Sequence, residues 1–184
     1  MDRSLVSLSK FVSLILRHEP ERIGLTLDPQ GWAGVEELLA AAARHGTALT
    51  REKLERIVAE NEKQRFAFSD DGQRIRARQG HSVDVDLKLS AQAPPDILYH
   101  GTAMRFLESI RATGLEARSR QHVHLSRDEA TAIQVGQRHG KPIVLKVRAG
   151  QMHAVGHEFY LSENQVWLTA RVPPQFLDEF LNEI

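Results

Sequence analysis

The chain has 184 residues, 41% of them hydrophobic and 26% charged, a size and balance that suit one large soluble domain or two small lobes. It has no cysteine, which excludes disulfides, thiolate metal sites and cysteine nucleophiles, and no apolar run nears the ~20 residues needed to cross a bilayer. Net charge is zero, with 24 basic and 24 acidic residues that balance within each half, so any pull on a polyanion has to come from a local patch.

The N-terminal MDRSLVSLSK lacks the charged-then-apolar pattern of a secretory leader, and a cytoplasmic location is the default expectation. In SLVSLSKFVSLILRH, Leu5, Leu8, Val12 and Ile15 recur at helical spacing and predict a helix over roughly residues 4–18. Pro20 disfavours helical geometry at Glu19 and ends that helix near His18. IGLTLDPQGW follows as an extended piece and a turn. AGVEELLAAAARHG predicts a second helix with Gly46 as its left-handed terminator. LTREKLERIVAEN predicts a third, with Thr50 as N-cap and Leu49 stapled onto Leu54.

RFAFSDDGQRIRARQG alternates on either side of a Ser-Asp-Asp-Gly turn, the signal of a β-hairpin. Alternation puts Phe66, Phe68 and Ile75 on a core face and Arg65, Arg74, Arg76 and Arg78 on the other, a row of cations suited to phosphate. Three helices and a hairpin make a winged-helix-like lobe. A boundary is expected near Pro94-Pro95, dividing the chain into residues 1–90 and 91–184. Beyond it come strand ILYHGT, helix AMRFLESIRATG, strand HVHLS, helix RDEATAIQVGQRHG and strand PIVLKVRA. HEFYLSENQVWLTA adds one or two strands, and PPQFLDEFLNEI predicts a C-terminal helix. The fold class is α+β.

Arginine supplies 18 of the basic residues and lysine six, a bias toward the planar donor fork that matches phosphate oxygens. Arg-His occurs three times, at Arg17-His18, Arg44-His45 and Arg138-His139, each at a predicted helix end. The helix macrodipole alone favours cations there by ~0.3–1 kcal/mol, so position does not separate capping from anion handling. His122 and His124 share a strand face but have no third ligand nearby, and no metal is expected. In YHGT, Gly101 would admit a ligand close to the backbone, flanked by His100 and Thr102, although Thr102 also suits an N-cap. Ser126 and Glu129 have the spacing of a capping box, which leaves Ser126 as either a cap or a ligand contact. Neither a GxGxxG nor a Walker loop is present.

The strings LILRHEPERIGLTLDPQGW, KQRFAFSDDGQRIRARQGHSV, PPDILYHGT, HVHLS, VGQRHGKP and FYLSENQVWLT, in this order, resemble the NAD-dependent RNA 2′-phosphotransferases of the KptA type. The similarity runs over essentially the whole chain. It implies a winged-helix lobe over 1–90 and an ADP-ribosyltransferase-like, NAD-binding lobe over 91–184. The family removes an internal 2′-phosphate from RNA in two steps, with NAD as co-substrate and no metal. The phosphate displaces nicotinamide from NAD, and the neighbouring ribose hydroxyl then attacks phosphorus to give ADP-ribose 1″,2″-cyclic phosphate and 2′-hydroxyl RNA. The family's Arg-His-Arg-Arg tetrad falls on Arg17, His18, Arg65 and Arg138, while Arg44-His45 stays a plain helix end. His100, Gly101, Thr102 and Ser126 match positions that receive NAD. Val166 stands where protein-modifying relatives of the fold carry a glutamate, which argues against protein ADP-ribosylation. The expected partners are RNA bearing an internal 2′-phosphate, tRNA-like, and NAD, with no membrane, and the protein is expected to act as a monomer. Two rivals stay open: an ADP-ribosyltransferase acting on nucleic-acid ends or proteins, and a non-enzymatic winged-helix nucleic-acid-binding protein.

Overall fold

Helix α1 (Arg3–Arg17) buries the stripe that its spacing selects, with Val12, Ile15 and Leu16 fully enclosed. The structure is a computed structural model and describes residues 3–180. The chain divides into two units, Met1–Lys88 and Leu89–Ile184, each with its own apolar core. Among the described residues no helix is long and apolar enough to cross a membrane.

In the first unit Pro20 opens a 3-10 turn (Pro20–Ile23) that stops at Gly24 in the left-handed region. Strand β1 (Ala33–Gly34) leads into α2 (Val35–Arg44), and α3 (Arg51–Ala59) starts with the Thr50 side chain accepting the Lys53 amide. Strands β2 (Phe66–Phe68) and β3 (Arg74–Ala77) form the hairpin, and the antiparallel sheet order is β1-β3-β2. Ile75 pairs with Phe68 on one side and Ala33 on the other, which brings Phe66, Ile75 and Ala77 onto the helices. Each buried aliphatic or aromatic side chain of this cluster contributes about 1.5–3 kcal/mol. The sequence pattern assigns Ala33 and Gly34 to the second helix. They pair with β3 instead, and the Val35 amide bonds the Gln73 carbonyl just before the helix starts.

The second unit contains β4 (Leu98–Ala103), α4 (Leu107–Thr113), β5 (Leu115–Glu116), β6 (Val123–Leu125), α5 (Glu129–Gly136) and β7 (Pro142–Val147). It continues with α6 (Ala149–Ala154), β8 (Tyr160–Leu161), β9 (Trp167–Thr169), β10 (Arg171–Val172) and β11 (Leu177–Phe180). The strands form sheets ordered β11-β7-β4 and β6-β9-β8, with β10 and β5 as a separate pair. Reciprocal backbone bonds between Tyr99 and Ser126, of 2.9 and 2.8 Å, link β4 to the end of β6.

Three sequence expectations change here. The helix expected over PPQFLDEFLNEI is replaced, as far as the described residues extend, by a 3-10 turn and β11. The open side of β7 accepts this segment, with Leu177 opposite Val147, and Arg148 ties it down through the Gln175 carbonyl and the Asp178 carboxylate. Residues 181–184 of that expected helix lie outside the described residues. After β7 the chain turns into α6, where Ala149 and Met152 are fully buried. Ser126 does not cap α5. The N-cap is Asp128, whose carboxylate accepts the Thr131 amide at 2.8 Å and hydroxyl at 2.9 Å, while Ser126 is held in the β4–β6 bridge.

Candidate active site

The end of α1 is the first cluster. A helix terminus leaves carbonyls without intrahelical partners, and the Arg17 carbonyl is taken by the backbone amides of Ser82 at 2.9 Å and Val83 at 3.4 Å. The Ser82 hydroxyl also lies 2.9 Å from Nδ1 of His18. Arg17 is only 7% exposed, whereas Arg44 and His45, at the end of α2, are exposed. A cation serving the macrodipole gains up to ~2 kcal/mol when partly buried, less than the several kcal/mol that desolvating a guanidinium costs. Arg17 is therefore set apart from an ordinary helix-end charge.

His81, next to Ser82, is 1% exposed, and neither of its ring nitrogens has a hydrogen-bond partner among the described residues. Burial first, then the charges of Arg17, His18 and Arg76, push its imidazole from the usual 6.5 down to about 4. It is neutral at physiological pH. The electrostatic coupling places Arg17, His18, His81 and Arg76 in one neighbourhood.

Arg65 is half-buried just before β2. Its Nη1 donates to Asn61 Oδ1 at 3.4 Å, and Asn61, 4% exposed, also accepts the Lys63 amide at 3.1 Å. Burial lowers the pKa of Arg65, although arginine keeps its charge at any working pH. The Arg78 amide bonds the Arg65 carbonyl, so the hairpin register puts Arg65 across from Arg78 and Ala67 across from Arg76. The arginine row is anchored. The guanidinium groups of Arg74 and Arg76 lie 5.4 and 4.4 Å from the Trp32 ring centroid, and Arg78 Nε donates to the Phe66 carbonyl at 3.2 Å. Trp32 is held in turn by Asp28, whose side chain accepts the amides of Gln30 and Trp32 at 2.8 and 2.9 Å.

In the second unit His100 Nδ1 faces the His124 carbonyl at 3.1 Å. A carbonyl only accepts, so Nδ1 carries the proton and the neutral ring keeps its lone pair on Nε2. The Arg120 guanidinium meets Nδ1 of His124, which fixes that nitrogen as an acceptor. Gly101 does admit a close approach, but on the face of its absent side chain the approach is made by α5. A Cβ there would lie 1.7 Å from the Ala132 carbonyl oxygen, and a Cβ on Gly136 would lie 2.7 Å from the Thr102 carbonyl oxygen. Two glycines thus let α5 sit directly on β4. The turn Gln137–His139 that continues α5 carries Arg138, which is exposed. Thr102 is 7% exposed and lies within β4, so it is not an N-cap.

His122 does not join a metal set. It packs edge-on against Tyr160 at 5.7 Å, burial lowers its pKa, and among the described residues no three His, Asp or Glu side chains group to hold a metal ion. Val166, just before β9, closes a tight turn with Ser162, its carbonyl accepting the Ser162 amide at 2.9 Å. Pattern reading passed over His81, Ser82, Trp32, Asn61 and Arg120. The first three stand inside DPQGW and RQGHSV, where glycine and polar residues mark turns but no period reveals a role.

Residues 3–171 match the family model described as RNA 2′-phosphotransferase, Tpt1 / KptA family. The chain is 58% identical over 177 residues to a probable RNA 2′-phosphotransferase of Hahella chejuensis, covering 96% of this chain and 95% of that protein. It is 55% identical over 181 residues to one of Pseudomonas aeruginosa, covering 97% of this chain and 100% of the relative. With one from Rhodopirellula baltica the identity is 58% over 177 residues, 96% of each chain.

Proposed function

We propose, because this chain belongs to the RNA 2′-phosphotransferase, Tpt1 / KptA family, that it removes an internal 2′-phosphate from RNA by transferring it to NAD. The single observation that best supports this reading within the molecule is the buried Arg17 beside His18, held by Ser82 in a neighbourhood of arginines. The three helices and sheet β1-β3-β2 of the first unit support a winged-helix lobe that binds RNA. The mixed second unit is read as an ADP-ribosyltransferase-like lobe.

Bound NAD supplies an electrophilic ribose carbon and a leaving group that departs neutral, so its expulsion needs no acid. His100, Gly101, Thr102 and Ser126 are the residues assigned to hold it. The chemistry of the donor set fits. The Nε2 lone pair of His100, fixed by its Nδ1 contact, accepts from a ribose hydroxyl. Arg17, Arg65 and Arg138 hold the 2′-phosphate and aim it, work suited to bidentate guanidinium groups. In the second step charge grows on the equatorial phosphoryl oxygens, where fixed cations stabilise most. His18 exchanges the proton between the attacking ribose hydroxyl and the departing RNA oxygen, an imidazole being the one group of the tetrad suited to both giving and taking a proton.

The test is incubation with NAD and an RNA bearing one internal 2′-phosphate. The reading expects 2′-hydroxyl RNA and ADP-ribose 1″,2″-cyclic phosphate. RNA that stays ADP-ribosylated, with no cyclic product, would replace it with a one-step ADP-ribosyltransferase.

A further inference from the structure

An imidazole that gives and takes a proton at one nitrogen has to keep the other in a constant state. Resting on the function proposed above, we infer that Ser82 is a positioning residue for His18. Its hydroxyl accepts the Nδ1–H and reserves Nε2 for proton exchange. The contact itself is Ser82 Oγ to His18 Nδ1 at 2.9 Å. Ser82 is exposed, but its backbone is anchored to the same helix end. Its own amide is bonded at 2.9 Å to the carbonyl of Arg17, the residue before the imidazole it meets. The hydroxyl is thus set at a fixed offset from the helix end that carries both side chains.

The strap is fastened from behind as well. His81 is sealed from solvent, its Nε2 packed where a Cβ on Gly31 would lie 3.3 Å away, and Gly31 itself adopts φ 81°. Val83 adds a second, longer backbone bond to the Arg17 carbonyl. Burial of one residue and backbone bonds from the next two hold the hydroxyl between them.

The chemistry explains why this partner is a hydroxyl. In many hydrolases an aspartate orients the catalytic imidazole. A carboxylate here would compete with the substrate phosphate for Arg17 and repel the dianion. A serine oxygen can accept the Nδ1–H with no net charge, from the Nδ1–H tautomer of the neutral ring as well as from the cation. The bond from ribose oxygen to phosphorus forms as the bond from phosphorus to the RNA 2′-oxygen breaks. One proton passes from the former hydroxyl to the latter oxygen, with Nε2 of His18 carrying it at one end of the transfer.

The experiment compares the parent protein with Ser82→Ala and Ser82→Thr, using single-turnover kinetics on 2′-phosphorylated RNA with NAD and nitrogen-15 NMR of the His18 ring. Ser82→Ala keeps the backbone bond to Arg17 and removes only the hydroxyl. The expected result is a second step slowed about 10- to 100-fold, a first step within about twofold, and accumulation of ADP-ribosylated RNA. Ser82→Thr, which retains the hydroxyl, restores the second step. The ring is expected as the Nδ1–H tautomer in the parent and as a mixture in Ser82→Ala. An unchanged tautomer in Ser82→Ala overturns the inference, and so does an equal slowing of both steps. If the parent itself forms no ADP-ribosylated RNA, the function fails, and the NMR arm still decides the role of Ser82.

Discussion

Acidification provides a sharp test of the packing around His81. The folded protein keeps this imidazole neutral down to about pH 4, while the unfolded chain takes up a proton near 6.5. A depressed histidine pKa means that stability is whole above 6.5 and is lost as the pH falls from 6.5 toward 4, because only the unfolded state gains the proton. The gap between 6.5 and about 4 amounts to about 3 kcal/mol when complete, of which about 2.5 kcal/mol is lost by about pH 4.5. The perturbation is His81→Gln, which stays neutral throughout. Native-state hydrogen exchange of the α1 and β3 amides reads the opening free energy of this unit by itself. Asp71 and Asp86, held below the ordinary carboxylate range by Ser69 and by Lys88 respectively, titrate in both proteins and cancel. The parent should lose about 2.5 kcal/mol more than the variant between about pH 7.5 and pH 4.5. Identical slopes would show that His81 accepts its proton without hindrance, and the description of a sealed, cation-flanked ring would be wrong.

Gly101→Ala puts a methyl carbon 1.7 Å from the backbone oxygen of Ala132, a clash that no rotamer relieves. Thermal unfolding should show a loss of more than about 3 kcal/mol or failure to fold. A stable, active variant would mean that α5 does not rest on β4 as described. The Arg-His pairs give an internal comparison. Arg17→Ala should lower NAD-dependent turnover by at least about 100-fold, the loss typical of a charge that stabilises a transition state. Arg44→Ala should leave turnover within about twofold, as expected of an exposed helix-end cation. Equal losses in both would remove the distinction that burial of Arg17 draws.

What could be read in advance follows from where periodicity decides structure. The stripe Leu5, Val12, Ile15 belongs to a long amphipathic helix, and it buries as its spacing requires. Thr50 caps α3 through a bond only one turn away. Strand β11 was illegible for the opposite reason. QFLDEF has the apolar spacing of a helix, and only the unpaired side of β7, some thirty residues earlier in the chain, makes it a strand. The six residues of α6 are too few to display a helical period. Ser126 and Asp128 both suit an N-cap, and the choice fell to Asp128 because Tyr99 had already engaged the Ser126 backbone. Of the candidate site, the arginines and His18 were accessible through a resemblance, whereas His81 and Ser82 stand in a loop that returns to the end of α1, Ser82 meeting His18 from 64 residues away. No local pattern encodes that return.

The fate of a radiolabelled 2′-phosphate on an otherwise unlabelled RNA tests the central claim most directly. The label should leave the RNA only when NAD is added, and it should be recovered in the cyclic phosphate of ADP-ribose. Release as inorganic phosphate, or release without NAD, would contradict transfer to the dinucleotide.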